Sequence, residues 1–404
     1  MKEGWEMVKL GKIVTTSNGL WKGKKPPYIN IAVIRNTNFT KDCKLRLDEI
    51  EYIDAEEKHF LTRKLEYGDI IIEKSGGSDK QPVGRPVLFN IKEGNFSYSN
   101  FTSRIRIIDN KIIDSSFLQK ALYNHYIKGS TFPLQSNTTG IHNLDFKGYL
   151  ELEIPLPPLE EQNRIVSILD ASFEKIDALK KNAEENLKNA KALFQQVLAQ
   201  ELKPKEGWVE KKLGEVCNNI SYGTSLPSSE NGIYKYLRMN NITLDGTLDL
   251  NNLKYITVPD KELAKCMVEK GDLLFNRTNS HELVGKSCVF ENDEKMVIAG
   301  YIIRIRLNKE IAPKFANYYI NLQRRLGYLK PLIVGAVHQA NISAKSIQTI
   351  NFVYPTLEEQ HRIVAILDTL SEKCRRLEQV AQQTIRECDA LKQSILRQAF
   401  SGEL

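Results

Sequence analysis

The 404-residue sequence predicts two tandem globular heads of mixed α/β (α+β) class. Each head is followed by a long helix, and the two helices are expected to pair as an antiparallel coiled coil with pseudo-twofold symmetry. Two observations carry this. The stretch LEEQNRIVSILD, Leu159–Asp170, returns as LEEQHRIVAILD, Leu357–Asp368, with ten of twelve residues identical. Shorter anchors repeat across the rest of each half: Glu3-Gly4-Trp5 with Glu206-Gly207-Trp208, Leu10-Gly11 with Leu213-Gly214, Gly68-Asp69 with Gly271-Asp272. Val83-Gly84-Arg85 pairs with Val284-Gly285-Lys286, and Arg104-x-Arg106 with Arg304-x-Arg306. The offset drifts from 203 down to 198, as expected of a duplicated unit with small loop deletions.

The first head, residues 1–157, carries short β-branched and aromatic runs at Tyr28–Ile34, Asp69–Ile72, Pro86–Phe89 and Ser103–Ile108. One internal helix is expected at Ser116–Ile127, with Gly129 as its stop. Pro155, Pro157 and Pro158 end this segment, and Glu160 and Glu161 then favour the positive end of a helix over 158–202. Residues 203–206 form a short link, and 207–355 repeat the head, with a helix at Pro313–Leu326 stopped by Gly327. The second long helix spans 356–401.

Along both helices, residues recur at alternating steps of four and three, the spacing of a coiled-coil seam. The first copy offers Ile165, Leu169, Ser172, Ile176, Leu179, Ala183, Asn186, Ala190, Leu193 and Val197. The second offers Ile363, Leu367, Leu370, Cys374, Leu377, Ala381, Thr384, Cys388, Leu391 and Ile395. Helices of this length, about 60 Å, outrun a head of some 155 residues and call for a partner. The link Lys203-Pro204-Lys205 is too short to return the chain along such a rod, so the pairing is expected to be antiparallel.

No apolar run approaches the roughly 20 residues that cross a bilayer, and no signal-peptide stretch opens the chain. The six cysteines form no C-x-x-C pair, which reads as reduced thiols in a cytoplasmic protein. Residues 1–158 hold 23 Lys+Arg against 19 Asp+Glu, and residues 207–354 hold 19 against 14, so the positive excess sits in the heads. That distribution suits contact with a nucleic-acid backbone.

Catalytic motifs fail. Lys25-Pro26-Pro27-Tyr28 has the outline of an adenine-methyltransferase loop, but lysine cannot accept the hydrogen bond that the first position must take from the amine. Asp69, Glu73 and Lys74 resemble a nuclease set, yet the second copy puts Asn276 and Arg277 in the last two places. No phosphate-binding loop, metalloprotease or nucleophile-elbow motif is present. The residues leave open a DNA-binding protein, a coiled-coil adaptor that binds only protein, and a degenerate adenine methyltransferase.

The run Pro155-Leu156-Pro157-Pro158-Leu159-Glu160-Glu161-Gln162 with Arg164-Ile165-Val166, and its echo Tyr354-Pro355-Thr356-Leu357-Glu358-Glu359-Gln360, resemble the specificity subunit of a type I DNA restriction–modification system. Gly68-Asp69-Ile70-Ile71, Gly271-Asp272-Leu273-Leu274 and the closing Phe400-Ser401-Gly402-Glu403-Leu404 are similar too. Thr356 departs from the proline pattern of the first copy. The resemblance covers nearly the whole chain and implies two target-recognition domains, each followed by a coiled-coil helix. It implies a subunit that does no chemistry and reads a bipartite site in double-stranded DNA, one half-site per domain. It implies modification subunits, two of them, which bring S-adenosylmethionine. It also implies restriction subunits, which bring ATP and Mg. No cofactor or metal is expected in this chain, and no membrane.

The DNA-contacting residues are sought where the two copies differ inside a common frame. The loop Lys74-Ser75-Gly76-Gly77-Ser78-Asp79-Lys80-Gln81 corresponds to Arg277-Thr278-Asn279-Ser280-His281-Glu282. From it come Lys74, Ser75, Ser78, Lys80, Gln81, Arg277, Thr278, Asn279 and His281, with Arg85 and Lys286 just beyond. A second pair of stretches contributes Asn137, Thr138, His142 and Asn143 in one copy and His338, Gln339 and Asn341 in the other. Such side chains can make the hydrogen bonds that read base edges. Arg35 and Arg238 hold one frame position in both copies and suit phosphate contact.

Overall fold

The computed structural model describes every residue except Met1–Gly4, Trp21, Lys22, Lys24, Thr139, Val337 and His338, and leaves aside the side chains of Thr138 and Ala336. It divides into two units, Met1–Glu184 with Gln382–Leu404, and Glu185–Ala381. The division passes through both long helices.

In the first unit, head 1 carries helices α1 (Glu57–Arg63), α2 (Ser115–Ile127) and α3 (Phe146–Leu150), and then α4 (Leu159–Glu201) begins. Its central antiparallel sheet has the order 14–18, 102–107, 70–73, 86–88. The strand Ile70-Ile71-Ile72 is buried on both faces because alternate side chains point opposite ways. Ile70 and Ile72 join Phe117, Leu118 and Leu122 of α2 in the main core, while Ile71 packs with Phe89 and Tyr98 in a second cluster. A second sheet, 51–56, 28–34, 96–98, has its last strand parallel. The strand 6–9 pairs with 153–156, which ties the start of the chain to the entry of α4.

The second unit repeats this plan with α5 (Asp260–Cys266), α6 (Pro313–Arg325), α7 (Ala344–Gln348) and the first part of α8 (Leu357–Ser401). The central order 217–222, 302–307, 273–276, 287–289 is the same, and Leu273 and Phe275 face one core while Leu274 faces another. A short extra strand, Met267–Val268, widens its second sheet to four.

The glutamine of the repeated LEEQ stretch has a structural role in both copies. Gln162 is fully buried; its Oε1 accepts from Asp114 N (2.9 Å), and its Nε2 donates to Ile112 O (2.9 Å) and Pro157 O (2.8 Å). Gln360 does the same with Ala312 N, Glu310 O and Pro355 O. Each long helix is thus stitched to the segment that starts the internal helix of its head. Ile165 and Leu169, like Ile363 and Leu367, lie in the head cores.

Within each unit the early part of one long helix meets the late part of the other, which makes the pairing antiparallel. In the first unit Lys392 Nζ donates to Asp177 Oδ1 (2.7 Å) and Lys180 Nζ to Asp389 Oδ1 (2.6 Å). In the second, Arg362 Nη2 donates to Glu201 Oε2 (3.1 Å). The ends of the helices enter the cores. Leu396, Ala399 and Phe400 belong to the main core of head 1, and Leu198 and Leu202 to that of head 2.

The seam departs from the sequence expectation. Leu179, Leu193, Leu377 and Leu391 are between 46% and 55% exposed. Ile176, Ala183, Ala190, Cys374, Ala381 and Cys388 are buried as the spacing required, with Val197 and Ile395 half-buried. The alternate place is taken one residue later, by Lys180, Leu187 and Phe194 on α4 and by Glu378, Ile385 and Lys392 on α8. The reason is that the shared positions are mostly small, and longer side chains beside them lay their stems along the seam. Lys392 shows this, buried with its ammonium 5.0 Å from the centre of the Phe173 ring.

Candidate nucleic-acid interface

Each head carries a third, small sheet that brings together stretches separated in sequence. In head 1 it comprises Gln135–Thr138, Ile141–Leu144 and Ser75–Gly77, with 141–144 in the middle. In head 2 it comprises Val334–Ala336, Gln339–Asn341 and Thr278–Asn279, with 339–341 in the middle. Leu144 N donates to Lys74 O (2.8 Å), and Ile342 N donates to Arg277 O (2.8 Å). The same side-chain pair joins the strands in both heads. Ser75 Oγ donates to Asn143 Oδ1, and Thr278 Oγ1 donates to Asn341 Oδ1, the latter at 2.6 Å.

Around the head 1 sheet, Ser78, Lys80 and Asn137 are exposed and Gln81 is half-buried. Lys74 Nζ donates to Asn18 Oδ1 (3.1 Å), His142 Nε2 lies 3.2 Å from Asp79 Oδ1, and Asn137 Oδ1 accepts from Gly140 N (3.1 Å). Thr138 lies in the strand 135–138. Around the head 2 sheet, His281 and Gln339 are exposed and Asn279 is half-buried, its Oδ1 accepting from Ser280 N (2.9 Å). Arg277 lies over the Tyr222 ring at 5.1 Å and donates through Nη1 to Gly300 O (3.3 Å); its Nε finds no partner among the described residues. His338 falls outside the described residues.

Three expected contact residues lie inside. Arg85 is 4% exposed and grips Glu73 with two bonds, Nε to Oε2 (2.7 Å) and Nη2 to Oε1 (2.8 Å), while Nη1 donates to Phe39 O (2.8 Å). Lys286 is 6% exposed and donates to Ile242 O (2.6 Å). Burial, with the Arg324 guanidinium nearby, pulls its ammonium below the ordinary lysine range. Both cations brace the turns at 36–40 and 239–242 instead of facing solvent, because backbone carbonyls there need donors. Thr278 is buried too, its hydroxyl spent on Asn341. Arg35 pairs with Glu51, and Arg238 Nη2 donates to Asn252 O (2.9 Å); both remain half-buried at the surface.

The acidic residues are tied up in the same way. Asp69 Oδ1 accepts from Arg106 Nε (2.6 Å), and Asp272 Oδ1 accepts from Arg306 Nε (2.8 Å). No group of three or more metal-binding side chains occurs among the described residues. No helix among them is long and apolar enough to cross a membrane.

Two residues the sequence reading passed over stand beside these sheets. Phe101 O accepts from Lys74 N (2.9 Å) and Ser75 N (3.1 Å), and Tyr301 O accepts from Arg277 N (2.9 Å). Phe101 is 47% exposed and Tyr301 52%. The signal was available, because the offset of 200 that pairs Arg104 with Arg304 also pairs Phe101 with Tyr301.

The chain is thus one mixed α/β head written twice, each copy with one small polar sheet and one long helix. The family described as type I restriction modification DNA specificity domain matches residues 2–189 and 205–387, and the chain belongs to that family. It is a type I specificity subunit, a non-catalytic component of its system. It is 26% identical over 432 residues to the EcoKI type I restriction enzyme specificity subunit of Escherichia coli strain K12, covering 100% of this chain and 90% of that protein. It is 25% identical over 430 residues to the StySPI specificity subunit of Salmonella potsdam, with the same coverage. Among solved structures, a chain from work on complex assembly and conformational transition of the type I R-M system matches with a TM-score of 0.76 at 22% identity, covering 100% of this chain and 99% of that one. The HsdS subunit from Thermoanaerobacter tengcongensis matches at 0.58 and 22%, covering 100% and 98%. These two likenesses concern the fold.

Proposed function

We propose that this chain reads a bipartite site in double-stranded DNA, one half-site per head, and that the paired helices set the spacer between the halves. One observation carries the reading: in each head two separate polar stretches converge on one small sheet, joined by the same Ser/Thr–Asn pair. A sheet that holds its own strands together with part-buried polar pairs leaves the remaining amides, hydroxyls and imidazoles at its rim for base edges. Asn137, Ser78, Lys80, Gln81 and His142 would serve one half-site, and Asn279, His281, Gln339 and Arg277 the other. Arg35 and Arg238 would meet phosphate, and the positive excess of both heads draws in the duplex.

The subunit would work in the cytoplasm with modification subunits, two per complex, and with restriction subunits that supply cleavage. Leu179 and Leu391 in the first unit, and Leu193 and Leu377 in the second, lie outside the seam and would give those partners exposed apolar side chains to cover.

The test replaces Arg277, Asn279 and His281 together with alanine and measures competition binding against sites mutated in either half. Each lost bidentate contact costs about 1–3 kcal/mol of discrimination, confined to one half-site. Equal loss at both halves would sink the one-head, one-half-site reading.

A further inference from the structure

Phe101 and Tyr301 hold matching places in the two heads, each bonded through its carbonyl to the backbone of a basic residue, and the polar sheets do not explain them. In each head the backbone at a basic residue, Lys74 or Arg277, donates to the carbonyl of the aromatic residue. The two side chains therefore issue from facing positions, one charged and one apolar, beside the small sheet. The backbone beneath the ring is held. Thr102 N donates to Ser99 O (3.0 Å) and Ile302 N to Ala299 O (2.8 Å), so the turn before the strand is closed in both heads. Neither residue belongs to a core cluster, and an aromatic residue left about half exposed at the same place in both copies offers apolar area that a partner would gain by covering.

We infer that Phe101 and Tyr301 each pack a ring against the apolar surface of the DNA groove, and that Lys74 beside the first ring meets phosphate. This rests on the DNA-reading proposal above. The basic residue whose backbone bonds to each aromatic residue, Lys74 or Arg277, argues for a nucleic acid over a protein groove, and the occurrence of the pair once per head argues for one ring per half-site. A duplex offers apolar surface from two sources, the thymine methyl group and the deoxyribose face, and a ring of this kind packs on either.

The experiment measures binding of the full-length chain to its selected DNA site by fluorescence anisotropy over a range of salt. The variants are Phe101→Ala, Phe101→Leu, Tyr301→Ala and Lys74→Ala. Phe101→Ala is expected to weaken binding about tenfold, the scale of one buried ring. Its dependence of log affinity on log salt should match wild type, whereas Lys74→Ala should flatten that slope by about one unit. Phe101→Leu should recover most of the loss, and thermal unfolding of the Phe101 variants should match wild type. Replacing thymine with deoxyuracil in the first half-site separates the two sources. If the gap between wild type and Phe101→Ala closes, the ring packs on the methyl; if it persists, the ring packs on sugar. Wild-type binding with Phe101→Ala and Tyr301→Ala indistinguishable from it would overturn the inference, as would a loss that follows lowered thermal stability. A wild-type chain with no salt-dependent affinity for any duplex would overturn the DNA-reading proposal itself.

Discussion

Replacing Phe400 with alanine asks whether head 1 is finished by the end of the second helix. The Phe400 ring is 8% exposed, its centroid 5.3 Å from that of Phe117 and tilted by 54°. Phe117 is fully buried in the cluster that holds Ile70, Ile105 and Leu118. Truncating a buried phenylalanine costs about 3–5 kcal/mol, and about 0.5–1.5 kcal/mol of that comes from the ring pair. Phe400 sits at the margin of the cluster, so the lower figure of about 3 kcal/mol applies. In a unit of roughly 200 residues each kcal/mol shifts the midpoint by about 2–4 °C, which makes the expected drop roughly 6–12 °C. Calorimetry reads the drop, and peptide-resolved hydrogen exchange assigns it. Amides of Ile70–Glu73 and of Phe117–Tyr123 should lose protection, while those of Leu273–Asn276 keep theirs. Leu202→Ala should produce the mirror result in head 2, where Leu202 is buried with Phe315 and Ile363. Unchanged protection in head 1, or equal loss in both heads for either variant, would refute the argument that each core is closed by the other repeat's helix.

Other outcomes follow from the same structure. Gln162→Ala strands Asp114 N, Ile112 O and Pro157 O, and should cost about 1–3 kcal/mol by chemical denaturation, with Gln360→Ala acting on the second unit. Asp177 is pushed up by burial but held below its ordinary range overall by hydrogen bonds and charge from Lys392 and Lys44. A carboxyl with a depressed folded pKa stabilises the fold above its unfolded value and loses that contribution as pH falls; the first unit should therefore weaken below about pH 4. A Lys392→Met chain should lose much of that acid sensitivity in thermal melts. Deleting Lys180–Asn186 together with Glu378–Thr384 shortens each helix by about 10.5 Å and should shift the preferred DNA spacer by about three base pairs. An unshifted spacer in selected sites would show that the helices do not measure distance.

Much of the architecture was legible because duplication writes the same evidence twice. The drift of anchors marked the repeat, and the proline stops and first-turn glutamates marked where the long helices begin. The seam was legible only by half. Ile176, Ala183, Ala190 and Val197 fit two heptad readings equally, and the leucines at 179 and 193 pulled the choice toward the wrong one. Sequence hydrophobicity cannot show that Lys180 and Lys392 lay their stems inward, since that depends on Asp389 and Asp177 across the pair. The polar stretches of the small sheets were found from their difference between copies. Arg85 and Lys286 were misplaced because a cation after Val-Gly reads the same whether it meets solvent or a carbonyl far away in sequence. In the sequence Gln162 is only a letter of a repeated motif, and its three bonds reveal what it does.

The closure of head 1 by Leu396, Ala399 and Phe400 imposes a timetable on synthesis. The ribosome makes the whole of head 1 before it reaches those residues, and at about 5–20 residues per second the wait is on the order of 10–50 s. Head 2 meets no such delay, because Leu198 and Leu202 are made just before it. During that interval the first head exposes the apolar patch that Phe400 later covers, so a chaperone has its best opportunity there. A chain broken off anywhere within the second repeat would leave its first head unfinished, and quality control could remove it before it competes for partners.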